Sequence, residues 1–266
     1  MSAPRPAEAG RPPWGSRKVA KPHFLESAEL LSVAGVSKQF GGLRAVDDIT
    51  LAVRPGEIVS IIGPNGAGKT TFFNLLTGQL APSSGQVRLR GATINRLAPH
   101  DRARLGMGRT FQIAKPLIAL SALENVMIGA FLKHRALATA RDKAMAVLQR
   151  VGLAHLARRR AGELTLSERR RLEVARALAL EPEIILLDEV MAGLNQSEVG
   201  QAIDLLKGLH AGGLTLLIIE HNLKVVRAFS DRVVVLDRGR LIAEGSADQI
   251  LSAPEVIKAY LGEGHA

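Results

Sequence analysis

The chain lacks cysteine and has few aromatic residues, and each shortage excludes a class of function. Without cysteine there are no disulfide bonds, no thiolate metal sites and no thiol nucleophile. Phe, Trp and Tyr together make up 3% of the sequence, too few to favour a groove in which single-stranded nucleic-acid bases stack. No apolar run approaches the roughly 20 residues that a membrane-spanning helix needs. We therefore expect no thiol chemistry and no membrane-spanning segment.

Most hydrophobic residues of the chain are aliphatic. Hydrophobic residues make up 47% of the 266 residues, although aromatic residues are scarce. This composition suits a buried parallel sheet covered by helices. The formal net charge of +10 admits a nucleic-acid or anionic-membrane partner, or a nucleotide-binding protein with an arginine-rich surface. We favour the second interpretation and expect no nucleic-acid partner. Residues 1–28, rich in Pro, Ala, Gly and basic side chains, are predicted to form a disordered basic tail rather than a signal peptide.

The most informative stretch is GPNGAGKTT at residues 63–71, which fits the phosphate-loop pattern G-x-x-x-x-G-K-[ST]. A buried strand is predicted before it at 57–62, and a helix at 69–77. Glycines let several backbone N–H groups point inward, and together with the positive end of the helix they form an anion cradle. The predicted phosphate-binding residues are Gly63, Pro64, Asn65, Gly66, Ala67, Gly68, Lys69, Thr70 and Thr71. Lys69 is expected to reach the β- and γ-phosphates, and the Thr70 hydroxyl to bind Mg²⁺.

Two carboxylates follow a second buried strand. Residues 183–187 are predicted to form that strand, and Asp188 and Glu189 lie at its carboxyl end, the edge of a parallel sheet where ligands bind. Asp188 is expected to hold Mg²⁺, and Glu189 to polarise the attacking water as the catalytic base. His221, after the next predicted strand at 214–219, is a candidate sensor of the γ-phosphate. Gln112 is a candidate contact to Mg²⁺ or to the attacking water, and so a third catalytic residue.

The order of the other elements predicts an α/β domain with parallel strands and a helical subdomain placed inside it. Residues 32–53 form two strands around a glycine turn, 85–94 add two short strands, and 106–110 are predicted to be helical. The pattern is again helical from about residue 117 to residue 180. The remaining predictions are a helix at 197–210 with Ser197 as its N-cap, a helix at 222–229, a hairpin at 233–243 and a C-terminal helix pair ending at Tyr260.

With these residues in this order, the chain resembles the ATP-binding subunits of ABC transporters from about residue 31 to residue 262. The resemblance implies a P-loop NTPase of the ABC ATPase type at 29–262, with an antiparallel β subdomain and a helical subdomain inserted at about 113–180. It implies ATP and Mg²⁺ as ligands and ATP hydrolysis as the activity. Phe40 is then a candidate to stack on the adenine, the alternative being a core residue, and Val46 is a candidate nucleotide contact.

The family's signature, an LSGGQ-like segment that runs into a helix, corresponds here to LTLSE at residues 164–168. In the family two subunits face head to tail, and the signature of one binds the γ-phosphate held by the other. Thr165 keeps a hydroxyl, whereas Ser167 replaces a glycine and adds a Cβ where the phosphate approaches. Glu168 adds negative charge, which the three arginines that follow it offset. We expect Thr165 and Ser167 to contact ATP competently; a weak or asymmetric site is the alternative.

Four further segments resemble the branched-chain amino acid uptake group of this family. They are FGGLRAV at 40–46, FFNLLTG at 72–78, GRTFQ at 108–112 and VIKAYLG at 256–262. The resemblance implies the longer of two ATPase subunits, peripheral to the cytoplasmic face of the inner membrane. It would energise two integral-membrane permease subunits, to which an extracytoplasmic solute-binding protein delivers the solute. Whether the chain pairs with a second ATPase subunit or with another copy of itself stays open. The alternative functions are a subunit of an exporter or a soluble ATPase that acts on nucleic acid or ribosomes.

Overall fold

The computed structural model describes residues 29–110, 116–254 and 256, whose strands form two sheets. The strands are β1 (Leu31–Phe40), β2 (Leu43–Val53), β3 (Ile58–Ile62), β4 (Ser84–Leu89), β5 (Ala92–Thr93), β6 (Met107–Arg109), β7 (Ile184–Asp188), β8 (Thr215–Ile219), β9 (Arg232–Asp237) and β10 (Arg240–Gly245). The α-helices are α1 (Lys69–Leu76), α2 (Pro99–Arg104), α3 (Ala122–Ala130), α4 (Leu137–Arg150), α5 (Leu166–Leu178), α6 (Gln196–Ala211), α7 (Leu223–Phe229) and α8 (Ala247–Leu251). Across these residues no helix has the length and apolar character that crossing a membrane requires.

The larger sheet is mainly parallel and carries the candidate site. Its strand order is β10-β9-β3-β8-β7-β6, and β10 alone runs antiparallel to its neighbour within this sheet. Strands β3, β7 and β8 are buried along their whole length, which explains their runs of Val, Ile and Leu. The smaller sheet, in the order β2-β1-β4-β5, is antiparallel throughout. The predicted α/β fold with an antiparallel β subdomain is confirmed.

Three helices are inserted between two neighbouring strands of the larger sheet. Strands β6 and β7 pair in parallel register although α3, α4 and α5 separate them in the chain. These helices share an apolar core that includes Val126, Leu148 and Leu172. The inserted helical subdomain is therefore confirmed as part of the fold. Its limits at about 113–180 and the domain limits at 29–262 stay predictions, and the predicted tail at 1–28 lies outside the described residues.

Two local predictions are wrong. Residues 106–110 do not form a helix, because the backbone at 107–109 pairs with β7, and a three-residue strand is too short to show a strand period in sequence. The N-cap of α6 is Asn195 rather than Ser197. Asn195 Oδ1 accepts the N–H of Glu198 at 3.0 Å and Glu198 Oε2 accepts the N–H of Asn195 at 2.9 Å, a capping box that starts the helix earlier. Helix α8 lies where the C-terminal pair was predicted, and Tyr260 lies outside the described residues.

A buried arginine fixes the far end of α1, the helix that follows the phosphate loop. Arg102 is 1% exposed, and its Nη1 donates to the carbonyl oxygens of Leu75 and Leu76 at 2.7 and 2.6 Å. Burial lowers the pKa of Arg102 to about 10, so the side chain stays protonated at neutral pH. Its charge therefore satisfies terminal carbonyls of α1 and complements the negative end of the helix dipole.

Candidate nucleotide-binding site

The phosphate loop joins the carboxyl end of β3 to the first turn of α1. Gly68, the N-cap of α1, has a φ of 94°, and within the described residues no side-chain hydrogen bond caps the helix. The first turn also contains no acidic residue. The backbone donors at the positive end of α1 are therefore open to an anion.

Two glycines let the loop pack closely against its neighbours. Gly63 has a φ of 150°, and a Cβ at that position would overlap the carbonyl oxygen of Leu236 in β9. A Cβ on Gly68 would overlap the carbonyl oxygen of Ala45 in β2. The loop thus lies against backbone from both sheets, so its shape depends on having no side chain at these two positions.

Lys69 folds back over the loop that precedes it. Its Nζ donates to the carbonyl oxygens of Gly63 and Pro64 at 2.7 and 2.9 Å. Burial lowers the pKa of Lys69, while the charges of Glu189 and Asp188 act to raise it. The two carboxylates therefore favour the charged ammonium, which is the form that binds phosphate.

An open pocket of about 510 Å³ lies over the loop. Beside residues 65–71, it is lined by Leu43, Arg44, Ala45, Glu189, Arg238 and Gly239. The N–H of Gly239 donates to the carbonyl oxygen of Ala67 at 3.0 Å, which ties the β9–β10 turn to the loop. The pocket-lining residues from β2 and from this turn were not predicted as ligand contacts from the sequence. No local pattern marks them, because they lie far from the loop in the chain.

Asp188 ends β7 as a buried carboxylate. It is 1% exposed, and among the described residues neither carboxylate oxygen accepts a hydrogen bond of standard geometry, although Nη2 of Arg109 forms an ion pair with Oδ2 at 3.5 Å. Burial raises the pKa of Asp188, and the charge of Arg109 acts to lower it. Buried carboxylate oxygens without hydrogen bonds fit a hard divalent cation such as Mg²⁺, which prefers oxygen ligands. Thr70, exposed and lining the pocket, offers a hydroxyl oxygen.

Glu189 and His221 follow neighbouring strands at the same edge of the sheet. The N–H of Glu189 donates to the carbonyl oxygen of Ile219 at 3.0 Å, and Glu189 lines the pocket. Its φ of 50° is an uncommon conformation for a residue other than glycine. His221 is exposed just beyond β8. Glu220, the residue before His221, was not predicted as part of the site. It is 1% exposed, and burial raises its pKa. Its position directly after an apolar strand was the signal available in the sequence.

Phe40 and Val46, two of the predicted nucleotide contacts, do not line this pocket. Gln112 lies outside the described residues. Phe40 is 45% exposed, which argues against the alternative of a core residue, and Nζ of Lys38 lies 5.2 Å from its ring centroid. Val46 is fully buried in the hydrophobic core. Neither Phe40 nor Val46 lines the pocket, although residues 43–45 between them do.

The signature segment begins α5 with a capping box. Thr165 Oγ1 accepts the N–H of Glu168 at 3.3 Å, and Glu168 Oε2 accepts the N–H of Thr165 at 2.8 Å. Ser167 is 7% exposed, so it is buried within the first turn rather than presented to solvent. Two backbone donors at the positive end of α5 are therefore already bonded within the chain.

Comparison with known proteins supports the same class of site. Two family models match the sequence: "ABC transporter" at residues 46–192 and "Branched-chain amino acid ATP-binding cassette transporter" at residues 240–266. The high-affinity branched-chain amino acid transport ATP-binding protein LivG of Escherichia coli strain K12 is 42% identical over 253 residues, covering 89% of this chain and 99% of that protein.

Solved structures agree with the sequence comparisons. An ATP-binding cassette of an ABC transporter in its ADP conformation aligns with a TM-score of 0.81 at 33% identity, covering 89% of this chain and 100% of that one. A dimeric ATP-binding cassette in a post-hydrolysis state, bound to ADP and phosphate, aligns with a TM-score of 0.74 at 28% identity, covering 82% and 98%.

The phosphate loop, the acids at the end of β7 and the inserted helices together define a nucleotide-hydrolysing ATP-binding cassette. The chain belongs to the ABC transporter family, in the branched-chain amino acid group of its ATP-binding proteins. As an ATP-binding protein of that family it binds and hydrolyses ATP.

Proposed function

We propose that the chain is the ATP-hydrolysing subunit of an importer for branched-chain or related amino acids. The observation that carries the proposal is an open phosphate loop that shares its pocket with Glu189. The name of the Escherichia coli relative and the family model at residues 240–266 support the class of solute. Direct recognition of the solute is assigned to the partners rather than to this chain.

Nucleotide binding is assigned to the loop and to α1. The open N–H groups of α1 and the Lys69 ammonium bind the β- and γ-phosphates of ATP. Thr70 and Asp188, together with Gln112, would hold Mg²⁺. When bound, Mg²⁺ supplies positive charge that offsets the charge developing on the transferred phosphoryl group.

Hydrolysis is assigned to Glu189. A bond forms between the water oxygen and the γ-phosphorus, and the bond from the γ-phosphorus to the bridging oxygen breaks. Glu189 accepts the proton of the attacking water, and the products are ADP and phosphate. His221, after β8, contacts the γ-phosphate, while Thr165 and Ser167 serve the nucleotide of a facing ATPase subunit.

Coupling to transport requires other subunits. ATP closes a pair of ATPase subunits, the partner being a second, shorter ATPase or another copy of this chain. The dimeric solved relative supports such pairing. Closure acts on two integral-membrane permease subunits, to which an extracytoplasmic binding protein delivers the solute. The subunit then works peripherally at the cytoplasmic face of the inner membrane.

Replacing Glu189 by Gln separates binding from catalysis. We expect ATP affinity to stay close to that of the wild type, while turnover falls by roughly 100-fold or more because the general base is lost. Fluorescent-nucleotide titration and phosphate release measure the two quantities. Glu163→Gln, at an exposed glutamate outside the pocket, is the control and should change neither. Wild-type turnover in Glu189→Gln would remove Glu189 as the catalytic base.

A pull-down in mild detergent from the native host tests the transporter assignment. The tagged chain should recover two polytopic membrane proteins and a second ATPase, identified by mass spectrometry. The binding protein encoded beside them can then be screened for its solute. Recovery with ribosomes or nucleic acid, and without membrane proteins, would contradict the proposal and direct attention to the basic surface.

A further inference from the structure

Arg109, at the end of β6, links two parts of the candidate site. Its side chain is 9% exposed. Nη1 donates to Asn74 Oδ1 at 2.7 Å and to Thr77 Oγ1 at 2.8 Å, while Nη2 lies 3.5 Å from Asp188 Oδ2. One planar guanidinium therefore connects α1 and its C-cap to the carboxylate that ends β7.

The residue after Arg109 holds the backbone of the same aspartate. Thr110 Oγ1 accepts the N–H of Asp188 at 3.3 Å, and the N–H of Thr110 donates to the carbonyl oxygen of Leu186 at 2.9 Å. Thr110 itself is 1% exposed. The end of β6 thus contacts both the main chain and the side chain of Asp188.

These contacts connect Thr70 and Asp188, two of the three residues proposed to hold Mg²⁺. Thr70 lies in the first turn of α1, and Asn74 lies one turn further along the same helix. Because Thr70 and Asn74 belong to one continuous helix, holding Asn74 against Arg109 also sets where Thr70 lies relative to Asp188. The Arg109 contact is to Oδ2, and in the part of the chain that the structure describes Oδ1 of Asp188 accepts no hydrogen bond, so this contact leaves Oδ1 for a metal ion.

A buried guanidinium facing a buried carboxylate gives weak evidence for stability, because desolvation of both groups offsets much of their attraction. The geometry of the Arg109 contacts indicates the role of this residue more clearly than their energy does. The planar fork of arginine can bond two partners in fixed directions, which an ammonium on a flexible stem cannot reproduce. The arrangement is therefore suited to orienting a carboxylate.

We propose that Arg109 is a positioning residue for the magnesium site, holding the carboxylate of Asp188 in a fixed relation to α1. The inference rests on the proposed function, in which Asp188 and Thr70 hold Mg²⁺. Side chains that orient a metal ligand from outside the ligand set change metal affinity by roughly 10- to 100-fold when they are replaced.

The test measures the Mg²⁺ dependence of nucleotide binding by the full chain. A fluorescent ATP analogue is titrated in EDTA and at increasing Mg²⁺ concentration, for the wild type, Arg109→Gln and Arg109→Lys. We expect binding in EDTA to stay close to wild type, while the Mg²⁺ concentration for half-maximal enhancement rises roughly 10- to 100-fold in Arg109→Gln. Arg109→Lys keeps the charge but loses the fork, so it should rescue only part of the response.

Two controls give every outcome a meaning. Arg104→Gln, which removes an exposed arginine paired with Asp101, should leave the Mg²⁺ response unchanged. Asp188→Asn should abolish that response. If Asp188→Asn keeps it, the proposed magnesium site fails. If Asp188→Asn loses it while Arg109→Gln keeps it, the metal site stands and the role of Arg109 is overturned.

A second variant decides the question if Arg109→Gln does not fold. Asn74→Ala leaves both Arg109 and Asp188 in place but removes one anchor of the guanidinium. We expect it to raise the required Mg²⁺ concentration in the same direction and by less than Arg109→Gln. An unchanged Mg²⁺ response in folded Asn74→Ala would overturn the proposal.

Discussion

The N-terminal ends of α1 and α5 are both positive ends of helix dipoles, yet their chemistry is opposite. At α1 the N-cap is Gly68, no side-chain hydrogen bond caps the helix among the residues that the structure describes, and the first turn contains no acidic residue. At α5 the N-cap is Thr165, and its capping box with Glu168 puts a carboxylate at the end of the helix. The N-terminus of α1 is left open to an external anion, whereas the N-terminus of α5 is already hydrogen-bonded to the carboxylate of Glu168 in its own chain.

A helix N-terminus favours a phosphate only when its donors remain available. At α1 an incoming phosphate meets backbone donors and the Lys69 ammonium. At α5 it meets the carboxylate of Glu168 and displaces hydrogen bonds. In a pair with a different ATPase subunit whose signature helix has no such carboxylate, we therefore expect the two nucleotide sites to differ, and the site completed by α5 of this chain to be the weaker.

Gly68→Ala distorts the loop at the open end of α1, and we expect the largest effect from it. The new Cβ would overlap the carbonyl oxygen of Ala45, and alanine is strained at a φ of 94°. ATP affinity should fall by roughly 100-fold, because strain of a few kcal/mol displaces the loop. Fluorescent-nucleotide titration measures the loss, with thermal unfolding to establish that the variant folds.

Gly200→Ala is the matched control for Gly68→Ala. Gly200 lies inside α6, and a Cβ there meets no atom within 4 Å. This substitution should leave nucleotide affinity unchanged and stabilise the helix by about 0.5–1 kcal/mol. Wild-type affinity in a folded Gly68→Ala variant would show that an open, glycine-capped end is not what makes α1 the phosphate site.

The same contrast explains which parts of the site the sequence could predict. The phosphate loop is contiguous, and Asp188 with Glu189 directly follows an apolar run, so local pattern identifies both. Arg44 and Arg238 line the same pocket but come from β2 and the β9–β10 turn, and no local signal connects them to the loop. Their position depends on how the two sheets pack.

The predictions of a short strand and of a helix start were wrong for related reasons. Strand β6 is three residues long, and its conformation is set by pairing with β7 rather than by its own sequence. At α6, Ser197 has a suitable side chain, but Asn195 with Glu198 completes both halves of a capping box. At the signature, Thr165 and Glu168 have the T-x-x-E spacing of a capping box, but the sequence was interpreted only through the charge of Glu168 and not through the bond of its carboxylate to the backbone of Thr165.

Glu168→Gln tests the closed end with a smaller expected effect. Glutamine can keep the capping box, so the substitution removes the charge and preserves the helix start. Interactions between exposed charges are worth about 0.2–1 kcal/mol, so relieving the repulsion between this carboxylate and the incoming phosphate should strengthen ATP-dependent pairing of the subunits by up to roughly 5-fold. Light scattering at increasing ATP concentration measures the pairing.

Glu124→Gln, in the equivalent capping box of α3, is the control for Glu168→Gln and should leave pairing unchanged. If Glu168→Gln pairs no better than the wild type, the carboxylate does not oppose the partner's nucleotide. The difference between the ends of α1 and α5 would then be structural alone.

Thr165→Ala has the smallest expected effect on the fold and separates two roles of one hydroxyl. Loss of an N-cap side chain costs about 1 kcal/mol of unfolding free energy, which urea denaturation measures. Ser121→Ala removes the matching N-cap of α3 and should cost a similar amount. If the Thr165 hydroxyl is only a cap, the two variants behave alike in every assay. If it also contacts the partner's phosphate, Thr165→Ala alone weakens ATP-dependent pairing, whereas Thr165→Ser, which keeps the hydroxyl, restores both stability and pairing.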